Sequence, residues 1–295
     1  VTGESEIQRI KRLLETHGVR PSKRLGQHFL IDPVALDRVV AAADLTPADT
    51  VLEIGPGPGG LTRRLAGRAG HVVAVELDHT MVELLRAELA AYPHVHILQA
   101  DILKFDIAGE MRAHHPEFAA HFKVVANLPY YITSAVLRHV LEAQVKPELV
   151  VVTVQREVAE RIVAQPGSMS LLAVSVQFYG WPRVVAHIPA GAFYPPPKVE
   201  SAVVRIEVYP EPPVLVDNVD HFFKIVRAGF GQKRKQIHNA LQRELSLPAT
   251  TVVEALRAAG VEPKRRAETL SLAEWAAVAQ ALTSPSNPCV RLRLI

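Results

Sequence analysis

The chain has 295 residues, 48% apolar and 21% charged, with 33 Lys plus Arg against 30 Asp plus Glu. That balance excludes a disordered or fibrous chain and allows about two domains around a sizeable core. The single cysteine, Cys289, excludes an intrachain disulfide and a Cys-rich metal site, and the net charge of +3 permits a nucleic-acid partner without demanding one.

No run approaches the roughly 18 apolar residues of a membrane span. Residues 1–15 mix acids with bases and lack the apolar block of a signal peptide, so the expected location is cytoplasmic and reducing. Ile7, Ile10, Leu13 and Leu14 recur at helical spacing and Gly18 is a stop. A basic tract without clear period follows, Arg20 to Leu30. Val34 to Ala43 reads as a helix capped by Asp32 with Pro33 at its first position.

From Thr50 the chain alternates. Strand-like runs at 51–54, 72–77, 95–99, 124–126 and 149–154 are separated by helical stretches, one with Val82, Leu85 and Leu89 on a face, another with Ile132, Val136, Leu137, Val140 and Leu141, and a third with Val158 and Ile162. This rhythm predicts a doubly wound, Rossmann-like α/β sheet whose strands are buried on both faces. Runs 184–188 and 202–208 predict an antiparallel pair at the sheet edge. Between them Phe193-Tyr194-Pro195-Pro196-Pro197-Lys198 is stiff and extended. Composition shifts at Tyr209-Pro210-Glu211-Pro212-Pro213. Beyond it helices are predicted over 222–230, 233–245, 250–259 and 272–282, the last opened by a Ser271…Glu274 capping box. The expected divisions are 1–30, an N-terminal helix with a basic segment; 31–209, the sheet domain; and 214–295, a small all-α domain.

Gly55, Gly57 and Gly60 satisfy G-x-G-x-x-G, with Glu76 about 20 residues on at the next strand end. This suits a dinucleotide fold or a nucleoside-binding methyltransferase fold. Pro56 and Pro58 remove two N–H groups that would cradle a pyrophosphate, and Glu53 places a carboxylate beside the turn that would suit a cationic sulfonium. Both details favour the methyltransferase. Asp101 ends the third strand, where it serves either an adenine amine, with Ile102 on the ring, or a turn cap. Asn127-Leu128-Pro129-Tyr130 ends the fourth. The Asn127 oxygen and the Leu128 carbonyl, held by Pro129, offer two acceptors for an exocyclic amine, and Tyr130 offers a stacking face, unless the segment is a plain turn over the core. Lys23 and Arg24, Lys233 to Lys235, and Lys264 to Arg266 are candidate phosphate contacts or merely solvated faces. The pairs His94/His96 and His114/His115 lack a metal-ligand pattern, and no metal site is expected.

Taken together these segments resemble the KsgA-type ribosomal RNA adenine dimethyltransferases. The resemblance runs through Leu25-Gly26-Gln27-His28-Phe29-Leu30, Glu53 to Gly57, Glu76-Leu77-Asp78, Asp101-Ile102, Asn127 to Tyr130, Gln155 to Val158, Phe193 to Val203, Gln232 to Lys235 and Arg266 to Leu272. It implies S-adenosylmethionine as cofactor: Gln27, His28 and Leu30 over its methionine end, Gly55 and Gly57 against it, Glu76 with Leu77 at the ribose, Asp101 with Ile102 at the adenine. It implies Asn127, Leu128, Pro129 and Tyr130 around the target adenine, with Phe193 stacking on its other side. It implies a partner too, two adjacent adenosines near the 3′ end of 16S RNA in an immature small ribosomal subunit, each receiving two methyl groups. A monomer is expected. The chain departs from the family at His28 and at Tyr131, both usually Asn, and at Gly167-Ser168-Met169-Ser170, often Gly-Arg-Leu-Ser. The competing readings are a large-subunit methyltransferase of the antibiotic-resistance type, a non-catalytic ribosome-assembly factor and a nicotinamide oxidoreductase.

Overall fold

A computed structural model describes residues 6–19, 21–22, 26–114, 121–232 and 234–283. The elements run α1 (Glu6–Thr16), β1 (Phe29–Leu30), α2 (Pro33–Ala42), β2 (Thr50–Ile54), α3 (Gly60–Ala66), β3 (His71–Glu76), α4 (His79–Glu88), β4 (Val95–Gln99), α5 (Ile107–His114), β5 (Lys123–Asn127), α6 (Thr133–Leu141), β6 (Leu149–Gln155), α7 (Arg156–Ile162), α8 (Leu171–Gln177), β7 (Gly180–Ile188), β8 (Phe193–Tyr194) and β9 (Ser201–Val208). Four helices follow: α9 (Val219–Phe230), α10 (Ile237–Leu245), α11 (Ala249–Ala258) and α12 (Leu272–Thr283).

One compact unit comprises the chain to Ala159 plus Trp181–Val208. It is built on a seven-stranded sheet in the order β4-β3-β2-β5-β6-β9-β7. Strands β2 to β6 pair in parallel, and β9 returns antiparallel along β6 with Val152 opposite Val204. The Val/Ile/Leu runs of β2, β3, β5 and β6 form strands whose side chains are covered on both faces, whereas β4, at the sheet edge, is half-exposed and departs from the expected two-sided burial. Val51, Val72, Val125, Val151 and Val203 share one cluster with Leu36 and Val39 of α2 and Leu65 of α3. The strand order reverses between β2 and β5, so the turns that follow those two strands open side by side. In a doubly wound sheet that crevice collects ligands.

Helix α1 buries Ile10 and Leu14 against Phe29, Ile31 and Met81. Gly18, at φ +63°, stops it: the Val19 N–H returns to the Leu14 carbonyl at 2.8 Å. Asp32 caps α2, its Oδ1 accepting from the Ala35 N–H at 2.7 Å, with Pro33 in the first turn. These residues lie within the first unit, so the described part of the segment expected to stand apart, 1–30, packs as part of the sheet domain.

The second unit joins Glu160–Gly180 to the chain from Tyr209 onward. Residues 160–180 were expected in the sheet domain. They contain α8, an unpredicted helix: Leu172, Ala173, Val174, Ser175 and Val176 are all buried, so no amphipathic stripe marks it. The Phe178 ring meets Phe222 and Phe223 at 4.9 and 5.2 Å, tying α8 to α9. The capping box is formed: the Glu274 N–H donates to Ser271 Oγ at 3.2 Å and the Ser271 N–H to Glu274 Oε2 at 2.8 Å. Two further sequence expectations are corrected. Of the expected edge pair only β7 lies at an edge, since β9 is inside the sheet, and α10 starts at Ile237 rather than 233.

Candidate active site

A cavity of about 270 Å3 opens at the carboxyl ends of β2, β3, β4 and β5. Its wall includes Gly55 and Gly57 after β2, Glu76 and Leu77 after β3, Asp101, Ile102 and Leu103 after β4, and Asn127 to Ile132 after β5, with Gly26 to Phe29 crossing it from the N-terminal segment. Gly55 and Gly57 hold φ of +65° and +54°, a conformation other residues rarely adopt. A Cβ on Gly57 would also come within 2.9 Å of the Phe29 ring.

Glu76 is 7% exposed, yet its carboxylate is well held. Oε1 accepts from the Leu77 and Asp78 N–H groups at 2.8 and 3.0 Å, and Oε2 from the Gly57 N–H at 3.1 Å. Burial raises its pKa, and the three N–H donors pull it back. Asp101 forms the turn cap. Its Oδ1 caps the turn by accepting from Leu103 N–H at 3.0 Å, and its Oδ2 has no partner among the described residues. Apolar Leu77, Ile102 and Leu103 line the wall beside these two acids. A nucleoside fits this set: its diol and its amine need acceptors, and its base needs apolar walls.

Glu53 does not belong to the wall. It is 1% exposed and neither carboxylate oxygen has a hydrogen-bond partner. Burial pushes it up to about 8. The Glu76 charge adds to the rise. At neutral pH Glu53 is mostly uncharged, so the expected attraction to a sulfonium is corrected.

The turn after β5 is held from several sides. Leu128 N–H continues the ladder to the Thr153 carbonyl at 3.2 Å. The Pro129 carbonyl accepts from Ile132 N–H at 3.2 Å and from Thr133 Oγ1 at 3.3 Å, leaving the Leu128 carbonyl without a partner among the described residues. Asn127 Nδ2 donates to the His28 carbonyl at 3.0 Å. That bond assigns the amide: Oδ1 is the atom left over. The Tyr130 hydroxyl pairs with Ser201 Oγ at 2.7 Å, and burial raises its pKa against that hydrogen bond, so it stays protonated. The end of β5 therefore carries two adjacent acceptors, unengaged among the described residues, beside a fixed aromatic ring.

Residues 19–284 match the family described as ribosomal RNA adenine dimethylase. The chain belongs to that family. It is 49% identical over 287 residues to the ribosomal RNA small subunit methyltransferase A of Dehalococcoides mccartyi, covering 97% of this chain and 96% of the relative. The protein of the same name from Pelotomaculum thermopropionicum is 44% identical over 277 residues, 92% and 94% of the two chains. Among solved structures the 23S rRNA methyltransferase ErmE matches with a TM-score of 0.67 at 30% identity, over 87% of this chain and all of that one. A dimethyladenosine transferase from Plasmodium falciparum shares the fold, with a TM-score of 0.70 at 24% identity over 85% and 96%.

Two residues expected at the family's site lie elsewhere. Leu30 and Phe193, 5% and 2% exposed, face each other across the β1–β8 pair and pack into the core of the sheet domain. Neighbours along a strand point to opposite faces, so it is Phe29 that reaches the cavity. Gln27 lies on the wall with its Oε1 accepting from the Ser22 N–H at 2.7 Å. Tyr131, where the family usually has Asn, is 60% exposed at the cavity.

Of the candidate RNA contacts, Lys23, Arg24 and Lys233 lie outside the described residues. Arg234 is exposed, and Lys235 borders a polar groove with Asn239, Gln242 and Arg243. Arg265 is not free for phosphate. It forms a two-pronged pair with Glu274 and donates to the Thr269 carbonyl, bracing the start of α12.

Proposed function

We propose that this chain transfers methyl groups from S-adenosylmethionine to N6 of two adjacent adenosines near the 3′ end of 16S ribosomal RNA, making N6,N6-dimethyladenosine during small-subunit assembly. The observation that carries this reading is the pair of unengaged acceptors at the end of β5, Asn127 Oδ1 and the Leu128 carbonyl, with Asn127 Nδ2 tied back to His28. An adenine amine has two N–H donors. Accepting both draws the nitrogen lone pair out of conjugation with the ring and aims it along the remaining direction.

When bound, the cofactor supplies a methyl group made electrophilic by a cationic sulfur. Glu76 would hold its ribose, Asp101 Oδ2 its adenine amine, and Leu77 and Ile102 the faces of its base. Gln27, His28, Gly55 and Gly57 would lie along its methionine end. Tyr130, fixed through Ser201, would stack on the target base, which must leave its own stack to enter the cavity. Methylation makes the amine nitrogen acidic, so proton loss follows attack without a strong base in the wall.

Arg234 and Lys235 would neutralise RNA phosphates, together with Lys23, Arg24 and Lys233. We expect a cytoplasmic monomer. Relatives 44–49% identical over nearly their full length carry the small-subunit name. ErmE, a 23S enzyme at 30% identity, supports the competing large-subunit reading less strongly. The test is methyl transfer to immature small subunits, with modified nucleotides mapped by mass spectrometry. Two adjacent dimethyladenosines near the 3′ end of 16S RNA are expected. Transfer to 23S RNA alone would favour the resistance type, and no transfer to either would refute the enzyme.

A further inference from the structure

The chain has two tryptophans, and the fold treats them oppositely. Trp275 is 0% exposed, whereas Trp181 is 51% exposed on β7, the strand that ends the sheet. Burial alternates along β7. Pro182 and Ile188 are buried and Ala186 packs on the core, while Trp181, Arg183, Val185 and His187 are exposed. Alternate residues of a strand share a face. One outward face therefore carries an indole, a guanidinium, an isopropyl group and an imidazole, with no acid on the strand. The Arg183 guanidinium lies over the Trp181 ring, 4.7 Å from its centroid. Its Nη2 donates to Glu207 Oε1 at 2.6 Å, and the same oxygen accepts from Arg205 Nε at 3.3 Å. Arg205 in turn donates to the Ala42 carbonyl at 2.6 Å. The remaining Arg183 N–H groups have no acceptor among the described residues.

We propose that Trp181 and Arg183 form a docking platform for single-stranded RNA, with an unpaired base stacked on the indole and a neighbouring phosphate held by the guanidinium. The choice of RNA as partner rests on the function proposed above. The surface is separate from the cavity, whose wall contains no residue of β7. The shape of the pair selects this occupant first. Arg183 covers part of the ring and leaves the rest open, and a base is a flat partner of matching size. Charge selects it second. Two arginines share one glutamate here, and the strand adds no other acid, so the face suits a polyanion. Glu207 also holds the Arg183 fork in one place, which lowers the cost of pairing its free N–H groups with phosphate oxygens. A protein strand added to this edge fits less well. Pro182 supplies no N–H, and Arg183 and His187 break the apolar strip, as in edges protected from strand addition. Duplex RNA also fits less well, because its bases are already stacked on one another.

The test uses the full chain and an oligouridylate of about ten nucleotides, dye-labelled for anisotropy and unlabelled for tryptophan emission. Trp275 is fully buried, so a change in emission reports a base at Trp181. RNA should quench the exposed indole. Trp181→Ala should weaken binding about 5- to 100-fold, the scale of one base stacked on an aromatic ring. Trp181→Phe keeps a ring and should weaken it less, which guards against a Trp181→Ala chain that fails to fold. Arg183→Gln should reduce the slope of log affinity against log salt by about 0.7, one phosphate contact on a single strand. A duplex of the same length should bind the unaltered chain and Trp181→Ala alike. RNA that binds without quenching would overturn the proposal. So would equal affinities of the unaltered chain and Trp181→Ala, or no binding of the probe at all. A Trp181→Ala chain that differs only in sedimentation would assign the face to a second copy and overturn it too. Quenching and anisotropy are read without turnover, so a chain that docked RNA here but methylated none would refute the function and leave this surface standing.

Discussion

The sheet buries two glutamates on neighbouring strands, one at its rim and one in its body, with opposite results. Glu76 ends β3, where the Leu77 and Asp78 N–H groups are no longer needed by the ladder and turn onto its carboxylate. Glu53 lies one residue inside the end of β2, opposite Ala74 and Val125, where backbone donors belong to the ladder and none reaches its oxygens. Strand ends can therefore solvate a charge with backbone groups while strand interiors cannot. The rim is the place for polar chemistry, and a carboxyl group in the body affects stability instead.

Substitutions at the rim should damage function, and those elsewhere should damage folding. The largest effect is expected for Asn127→Ala, which removes one of two acceptors at the reacting nitrogen. It should lower kcat about 100- to 1000-fold, with S-adenosylhomocysteine affinity little changed by calorimetry. Parallel loss of affinity would make Asn127 mainly a cofactor ligand. Glu76→Ala should weaken cofactor binding about 10- to 100-fold, the scale of hydrogen bonds to a charged group; unchanged binding would exclude the ribose role.

Glu53 tests the other side. Its folded pKa of about 8 exceeds the unfolded value of 4.5, so the native state holds a proton that the unfolded chain releases. Its contribution to stability is complete below about pH 4.5, falls as pH rises through about 8 and then levels, a loss of roughly 5 kcal/mol. In Glu53→Gln that part of the pH dependence should vanish from denaturant titrations, while cofactor affinity stays near wild type. The smallest effect is expected far from the cavity. Ser271→Ala removes one half of the α12 capping box and should cost about 1 kcal/mol in unfolding free energy.

The sequence was legible where a local rule decides the structure. Parallel strands read as unbroken Val/Ile/Leu runs, Asp32 and Ser271 as caps, and Gly55 and Gly57 as a turn that other residues would strain. It was misleading where a single register step matters. Two-residue strands have no visible period, so Leu30 and Phe193 look as able to face a ligand as Phe29 and Tyr194 do. Helix α8 is apolar all round and carries no stripe to distinguish it from a buried strand. Within the candidate site the acids and the Asn127 turn were readable as residue types at strand ends. The atoms left unengaged were not, because they depend on partners such as His28, Thr133 and Leu103 that only the folded chain brings near.

The most direct measurement is a crystal structure with S-adenosylhomocysteine and adenosine bound together. The expected result places N6 of the adenosine within about 3.2 Å of both Asn127 Oδ1 and the Leu128 carbonyl, with its base against Tyr130. An amine lying against Asn127 Nδ2, or a base bound outside the crevice between β2 and β5, would contradict the proposed role of the turn.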